Sequence, residues 1–567
     1  MLNPYQLLVT SLILYCLLFL SLNGICQPAG SSLTAQVDAI FEPWTHPGSP
    51  GGVVGIVQNG ELVLSRAYGL ASLEYDVPID SSTIFNVASV SKQFTAFAVV
   101  LLDRRGELSL DDDVRRHLPE LPDFGAPITL RYLLNHSSGL RNFQNLLTMA
   151  GWRDGDVMTN ADLLKYIQWQ EELNFPVNSE FLYCNTGYNL MVEVVERVSG
   201  QSFIDWTKEN IFLPLGMLHS GFREDLEAVY PNSATSYEGT LETGFTRPKP
   251  FWGYIGNGNL CTTVGDLSKW IANFDDHTLG GPEAYRLLTE RGVLTTGDTI
   301  RYALGVFVDQ YRGVRHIQHG GSIGGFRASL NYFPHQNTGI IVLSNFSSAG
   351  TGGKAMAVAD LYLEEHFTQA KRSAAPLSDP VDRKAVDIDP RAFDPVAGHY
   401  WVTVDGGSMT RFYREGGRFL VEVMDGPTFE LTAASDTSFF VKEAPISILT
   451  HRNNAGTVDQ LTIYTPEQNS GRRIDSGLLA KENLRNYVGD YYRPELKMTY
   501  SLFMKDGQLM VSHRRHNDFP LIPREKDRFA GGAWFFSDVR AERDGAGSIE
   551  ALRVSNGRVR NLRLEKQ

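Results

Sequence analysis

Ser89 and Lys92 form the only Ser-x-x-Lys motif of the 567-residue chain. The motif opens a predicted helix over residues 89–104, and a separation of three places both side chains on one helix face. The N–H groups and dipole at the start of a helix favour a developing negative charge. A desolvated lysine loses its proton readily, so Lys92 is the predicted base that activates the Ser89 hydroxyl as a nucleophile. A helix cap beside an exposed lysine is the alternative that the motif alone leaves open.

A second polar group, Tyr183-Cys184-Asn185, lies just before a predicted helix over residues 188–198. A Tyr183 hydroxyl in this place is expected to share proton transfer with Lys92. Asn185 is expected to donate to a substrate carbonyl and to hold the lysine. Tyr230-Pro231-Asn232 has the same spacing, but no helix follows it. For either group, a loop tyrosine that packs on the fold is the alternative.

The segment His319-Gly320-Gly321-Ser322 ends a strand-like run. Gly320 and Gly321 allow a substrate backbone to approach closely. We expect the N–H groups of Ser322 and Ser89 to face one point and form an oxyanion hole. A glycine-rich turn is the alternative.

Residues 320–324 also fit the Gly-x-Ser-x-Gly nucleophile elbow, with Ser322 as the nucleophile. That elbow requires a strand before the serine and a helix after it. Residues 326–333 predict another strand instead, so the sequence favours a backbone role for Ser322.

Composition and charge narrow the functions further. The chain has 52 Lys and Arg against 65 Asp and Glu, a net charge of −13, which disfavours nucleic acid as a partner because phosphate binding relies on cations. It has no CxxC or HExxH motif, and neither a metal nor a cofactor is predicted. His316 and His319 are three apart on a predicted strand and point to opposite faces, which argues against a shared metal ion.

Strand patterns occur at both ends of the first 366 residues. Residues 51–70 predict a hairpin around Asn59-Gly60, and residues 315–318, 326–333 and 339–343 predict three further strands. The middle, residues 110–290, shows mostly helical patterns, and a last helix is predicted near residues 354–366. The sequence therefore predicts an α/β (α+β) fold whose sheet is assembled from both ends, with helices beside it.

The C-terminal part repeats itself after a predicted linker over residues 368–390. Val396–Tyr400 matches Tyr487–Tyr491 at an offset of 91 residues, and Glu415-Gly416 matches Asp506-Gly507 at the same offset. Both copies alternate short β-runs with turns. This pattern predicts two small all-β units, barrels or sandwiches, over residues 391–478 and 482–567. Two halves of a single barrel are the alternative.

The N-terminal residues 1–26 contain a mostly apolar run, Leu7–Leu22, that is short for a membrane span. We interpret these residues as a cleaved signal peptide, with an uncleaved anchor or a lipoprotein at Cys26 as alternatives. All three place the body of the protein outside the cytoplasm, periplasmic or secreted. Any membrane attachment would then go through the N-terminus only.

Taken together, the motifs resemble those of the serine β-lactamase and penicillin-binding-protein superfamily. The likeness is to its class C β-lactamase-like branch of D-aminopeptidases and carboxylesterases, and it covers residues 36–367. The order is the family's: Ser89/Lys92, then Tyr183/Asn185, then His319-Gly320-Gly321 in the place often held by Lys-Thr-Gly. Supporting segments share this likeness: Leu133–Leu140, Glu196–Ser202 and Pro214–Met217. The C-terminal repeats resemble the lipocalin-like barrels of some D-aminopeptidase-like peptidases.

The resemblance implies an antiparallel sheet flanked by helices, a helical lobe, and a site between them. It implies that Ser89 is acylated, that Lys92 is its base and that Tyr183 carries the proton. Cys184 and Cys261 are then expected near the site as free thiols. Cys184 replaces the family's serine, and Val177-Asn178 replaces its Pro-Gly. His319 replaces a lysine, and because histidine is mostly neutral near pH 7, this argues against efficient β-lactam or carboxylate-terminal binding.

The sequence thus predicts an extracytoplasmic serine hydrolase that cleaves amide or ester bonds of a small peptide or ester through a Ser89 acyl-enzyme. Its type would be that of a peptidase, a D-aminopeptidase or an esterase. β-Lactamase or DD-peptidase activity is one alternative. A non-catalytic protein that binds cell-wall or peptide ligands is the other.

Overall fold

The structure is a computed structural model that describes most of the chain. The described residues are 32–370, 381–403, 407–424, 428–442, 444, 446–454, 456–465, 468–474 and 483–567. The predicted signal peptide and the central part of the predicted linker lie outside these ranges. Within them, no helix combines the length and the apolar character that crossing a bilayer requires.

The N-terminal body, residues 32–370, mixes helices with strands. Its helices are α1 Leu33–Phe41, α2 Lys92–Arg104, α3 Leu130–Leu134, α4 Phe143–Met149, α5 Asn160–Ile167, α6 Thr186–Ser199, α7 Phe203–Thr207, α8 Val264–Asp276, α9 Gly281–Thr289 and α10 Thr351–Tyr362. Its strands are β1 Gly52–Gln58, β2 Glu61–Tyr68, β3 Leu70–Ser72, β4 Val77–Pro78, β5 Phe85–Asn86, β6 Met158–Thr159, β7 Gly221–Phe222, β8 Glu238–Thr240, β9 Gly244–Thr246, β10 Trp252–Gly253, β11 Leu260–Thr262, β12 Phe307–Tyr311, β13 Val314–Ile323, β14 Phe326–Phe333 and β15 Thr338–Ser344.

A six-stranded antiparallel sheet of order β12-β13-β14-β15-β1-β2 forms the centre of this body. β1 pairs with β15 along its whole length, so strands from both ends of the segment meet in one sheet, as predicted. The predicted hairpin is also confirmed. Asn59 and Gly60 have φ angles of 51° and 80°, which is the left-handed geometry that a tight turn between twisted strands requires.

Helix α2 lies within the core and packs against α6 and α9. The predicted helix over residues 89–104 is confirmed from Lys92 onward, and every residue from Lys92 to Leu102 is buried. Most of these residues are Ala, Val, Leu and Phe. Among the polar ones, the Thr95 hydroxyl donates to the Gly256 carbonyl and Gln93 Oε1 accepts from Trp270 Nε1. Lys92 therefore lies at the start of a helix that leaves its side-chain amine without access to solvent.

Two closed eight-stranded barrels follow the body. The first contains β16 Gly398–Val402, β17 Ser408–Glu415, β18 Arg418–Val423, β19 Thr428–Ala433, β20 Ser438–Val441, β21 Ile446–Arg452, β22 Val458–Tyr464 and β23 Gln468–Arg473. The second contains β24 Gly489–Arg493, β25 Met498–Lys505, β26 Gln508–His513, β27 Phe519–Glu525, β28 Arg528–Gly531, β29 Asp538–Arg543, β30 Ile549–Ser555 and β31 Leu562–Lys566. Each barrel closes on itself, so the half-barrel alternative is wrong.

The sequence repeat marks equivalent positions in the two barrels. The Tyr400 hydroxyl donates to the Val396 carbonyl at 2.9 Å, and the Tyr491 hydroxyl donates to the Tyr487 carbonyl at 2.8 Å. Both tyrosines are fully buried. In each barrel, the repeated residues therefore fasten the first strand to the turn that precedes it.

The second barrel docks on the helical part of the N-terminal body. Arg141 Nη1 lies 2.8 Å from both carboxylate oxygens of Glu495, and neither side chain is exposed to solvent. Arg493 donates to the same carboxylate at 2.8 Å. The first barrel contacts the second, where the Arg524 guanidinium lies 3.6 Å from the centre of a Trp401 ring. The chain thus holds its second barrel against the body through a buried ion pair.

Replacing Glu495 with Gln is expected to destabilise the protein by about 3 kcal/mol, because the buried Arg141 loses its closest carboxylate. A lower midpoint of thermal unfolding would show this. Glu565→Gln is the matched control, since Glu565 pairs with Arg563 at the surface, where such pairs contribute little. Equal midpoints for the two variants would contradict the role assigned to the buried pair.

Candidate active site

The turn before α2 carries Ser89 and contains one strained residue, Ala88. Residues Ala88–Ser91 form a 3-10 turn rather than the first turn of the predicted α-helix. Ala88 has a φ of 47°, which an L-residue with a side chain rarely adopts and which is commonly found at functional sites. Its N–H donates to Asn86 Oδ1 at 2.9 Å. The surrounding core thus fixes the backbone that carries the candidate nucleophile.

Lys92 is bound to Ser89 and to one main-chain carbonyl. Lys92 Nζ lies 3.1 Å from Ser89 Oγ and 2.7 Å from the Asn257 carbonyl oxygen. Burial, assisted by the positive charge of Arg558, holds the pKa of Lys92 well below its ordinary value. None of the described carboxylates forms an ion pair with it. Burial therefore favours the uncharged amine, which is the form that can accept the Ser89 proton.

Tyr183 lies beside the same two residues. Lys92 Nζ is 5.0 Å from the centre of the Tyr183 ring. Burial raises the pKa of Tyr183, and a hydrogen bond with Ser89 opposes part of that rise. Tyr183 therefore stays protonated at neutral pH and is placed to exchange a proton with Ser89. Tyr230, the tyrosine of the second Tyr-x-Asn sequence, lines a different cavity. The centre of its ring is 3.9 Å from the Arg223 guanidinium.

Asn185 lines the cavities that contain Ser89, but its contacts differ from those predicted. Its Nδ2 donates to Gln144 Oε1 at 2.9 Å. No hydrogen bond joins Asn185 to Lys92 within the described part of the chain, and the Asn257 carbonyl holds the lysine instead. Asn185 precedes α6 directly, and its N–H donates to Asn142 Oδ1 at 2.9 Å, so its place is fixed by contacts other than Lys92.

Strand β13 brings its glycines against the nucleophile turn. A Cβ added to Gly321 would lie 2.2 Å from the Val87 carbonyl oxygen, whereas one added to Gly320 would meet nothing closer than 3.8 Å. The sequence assigned both glycines to substrate approach, but Gly321 serves the approach of the protein's own backbone. Ser322 and Ser89 line one cavity of about 390 Å³.

The nucleophile elbow is not formed at Ser322. Residues 320–323 belong to β13, and β14 begins at Phe326, so a second strand follows where the elbow would need a helix. The backbone role that the sequence favours for Ser322 stays a prediction.

His319 is neutral because of its contacts. Its Nδ1 lies 2.6 Å from the Gly320 carbonyl, which can only accept, so this nitrogen carries the proton. Its Nε2 then accepts from the Tyr302 hydroxyl at 2.9 Å. Burial lowers the pKa of His319 to about 3. The position that holds a lysine in related motifs therefore contributes no cation here.

Sequence reasoning missed several side chains of this site. The centres of the His136 and Tyr183 rings lie 4.3 Å apart with the planes tilted by 43°, and His136 Nδ1 accepts the Cys184 N–H at 3.1 Å, so His136 positions Tyr183. It lies in Leu133–Leu140, a segment that supports the family resemblance but to which no role in the site was assigned. Arg558 comes from the second barrel and lines the cavities beside Ser89. No sequence signal links it to Ser89, which is 469 positions away in the chain.

The two cysteines of the described residues are buried free thiols, as expected. Cys184 Sγ donates to the Leu140 carbonyl at 3.4 Å, and burial raises the pKa of both thiols. Asn178, in the place of the usual glycine, has a φ of 58°, a left-handed conformation that asparagine tolerates. Neither departure from the family pattern disturbs the backbone around Ser89.

Comparisons with known proteins agree with this geometry. A family model described as Beta-lactamase matches residues 37–363. Penicillin-binding protein 4* of Bacillus subtilis is 28% identical over 431 residues, 73% of this chain and 92% of its own. D-aminopeptidase of Brucella anthropi is 30% identical over 322 residues, 57% of this chain and only 60% of its own length. The octameric penicillin-binding protein homologue from Pyrococcus abyssi has a TM-score of 0.55 at 21% identity, covering 86% of this chain and 99% of that one, which shows a shared fold.

Gly321→Ala is expected to displace β13 from the nucleophile turn, because its new Cβ would overlap the Val87 carbonyl oxygen. Turnover should fall at least about tenfold, since misplacing a reacting group by about 1 Å costs on that order or more. Gly320→Ala is the matched control, because its new Cβ meets no protein atom closer than 3.8 Å. It should fold as the parent does, and its turnover of a small ester should fall less than that of Gly321→Ala. The two variants are compared by steady-state kinetics on one ester substrate. Equal rates would contradict the close approach.

Lys92→Met is expected to abolish turnover yet raise the midpoint of thermal unfolding at pH 7. The native lysine is uncharged while the unfolded one is protonated up to its ordinary pKa of about 10.4, so folding must release a proton. Wild-type stability therefore rises with pH in this window, and the gain of the variant should shrink between pH 7 and pH 9. A midpoint below that of the parent at both pH values would contradict a desolvated, uncharged Lys92.

Proposed function

Since this chain belongs to the β-lactamase family, we propose that it is an extracytoplasmic serine hydrolase acting through a Ser89 acyl-enzyme. The observation that carries the proposal is the 3.1 Å contact between Lys92 Nζ and Ser89 Oγ at a site where burial disfavours the charged lysine. The bonds cleaved are amides or esters, in the manner of a peptidase, a D-aminopeptidase or an esterase. The D-aminopeptidase relatives support the amide part of this range.

In the proposed reaction, Ser89 Oγ attacks the substrate carbonyl carbon while its proton passes to Lys92. The N–H groups of Ser89 and Ser322 hold the oxyanion of the tetrahedral intermediate. Tyr183 gives a proton to the leaving amine or alcohol as the carbonyl–heteroatom bond breaks, and it takes the former Ser89 proton from Lys92 in return. Water then attacks the Ser89 ester with the same groups acting in reverse, and the acid product leaves. Asn185 orients the substrate, with no step requiring it to touch Lys92.

The proposed location and partners of the protein rest on its sequence. The apolar run Leu7–Leu22 supports export of the protein, to the periplasm or beyond. The net charge of −13 supports a small peptide or ester, rather than nucleic acid, as the partner.

Ser89→Ala is expected to lower kcat on an ester or amide substrate by roughly 10⁴-fold or more, as the loss of a catalytic nucleophile does in other serine hydrolases. Ser322→Ala is the matched control, because its backbone N–H survives the change, and most activity should remain. Steady-state kinetics compare the rates of the two variants, and circular dichroism checks that both are folded. Retained turnover in the folded Ser89→Ala variant would contradict the proposed function.

A further inference from the structure

The second barrel reaches into the mouth of the candidate active site through the loop between β30 and β31. The Arg558 carbonyl in this loop accepts from the Asn142 N–H at 3.2 Å and from Asn174 Nδ2 at 3.0 Å. Two residues on, the Arg560 N–H donates to Asn174 Oδ1 at 2.7 Å. These hydrogen bonds tie the loop backbone to residues of the N-terminal body. The backbone that carries the Arg558 side chain is therefore held in place on the N-terminal body.

The guanidinium of Arg558 is exposed in the site and has no carboxylate partner among the described residues. Its neighbours on the strands and loop are paired, since Arg560 lies 2.8 Å from Glu180 and Arg553 lies 2.8 Å from Glu172. Arg558 instead lies over the Tyr183 ring, with its central carbon 5.3 Å from the ring centre. It lines both cavities that contain Ser89.

This cation changes what the site can recognise. Because His319 is neutral, strand β13 offers no cation to a substrate carboxylate. Arg558 offers one from the second barrel. Arg558 offers a planar fork of N–H donors, which matches a carboxylate. Its position over Tyr183, the residue proposed to protonate the leaving group, places the matching anion on the leaving-group side of the scissile bond.

We propose that Arg558 is a specificity-determining residue that binds a carboxylate on the leaving group of the substrate. The assignment rests on the proposed Ser89 hydrolase and specifies its substrates as peptides or amides whose released part carries a free carboxylate. The first residue beyond the scissile bond is within reach of such a contact. The second barrel thereby selects substrates for the catalytic residues of the N-terminal body.

Competition tests this assignment. The full-length protein hydrolyses 4-nitrophenyl acetate while D-alanylglycine or D-alanylglycinamide is added, because the two peptides differ only in the leaving-group carboxylate. We expect the acid to compete at least about tenfold more tightly than the amide, as contacts to a charged group typically give. Arg558→Gln should remove the difference, and Arg558→Lys should keep part of it. Arg560→Gln, on the same loop, should preserve it.

Three results would overturn the assignment: equal competition by both peptides, no competition by either, or an acid preference that survives in Arg558→Gln. Arg558→Gln could instead lower the turnover of succinyl-D-alanine anilide more than that of acetyl-D-alanine anilide. This result would place the bound anion on the acyl side and contradict the leaving-group placement. Hydrolysis of 4-nitrophenyl acetate by Ser89→Ala at the parent rate marks a different failure, that of the proposed function itself.

Discussion

The complete burial of a lysine, Lys92, is the constraint on which the rest of the site depends. Lys92 begins a helix that is buried on every side, and its amine contacts Ser89 Oγ and the Asn257 carbonyl. A buried ammonium without a carboxylate would be costly, so the site favours the proton-accepting form. That burial is a cost to folding that the large surrounding core offsets. Packing is thus the main cause of the lowered pKa of Lys92, and the positive charge of Arg558 adds to it.

The second constraint is the close passage of two backbone segments. Ala88 holds a strained φ that turns Ser89 out of the core, and β13 passes close enough that only glycine fits at position 321. Strand β13 is held in the sheet between β12 and β14, and β15 joins these strands to β1 and β2 from the other end of the body. The approach of β13 sets the place where the Ser89 and Ser322 amides can meet an oxyanion.

Local patterns predicted the parts of the molecule that local chemistry decides. The Asn59-Gly60 turn, the strand Phe326–Phe333 and the two repeated barrels follow from turn residues and alternation within a few positions. The motif residues Ser89, Lys92 and Tyr183 also meet at one place. The sequence could not show that α2 is buried all round, that Asn257 rather than Asn185 holds Lys92, or that Arg558 enters the site. Each of these depends on contacts between distant segments, for which spacing along the chain carries no signal.

The identity of the nucleophile is the central claim, and peptide mapping by mass spectrometry after labelling with a fluorophosphonate tests it most directly. The uncharged Lys92 and the hydrogen-bonded Ser89 hydroxyl predict a covalent adduct on the peptide that contains Ser89, and none on the Lys92→Met variant. An adduct on Ser322, or labelling of Ser89 that persists unchanged when Lys92 is replaced, would contradict the account.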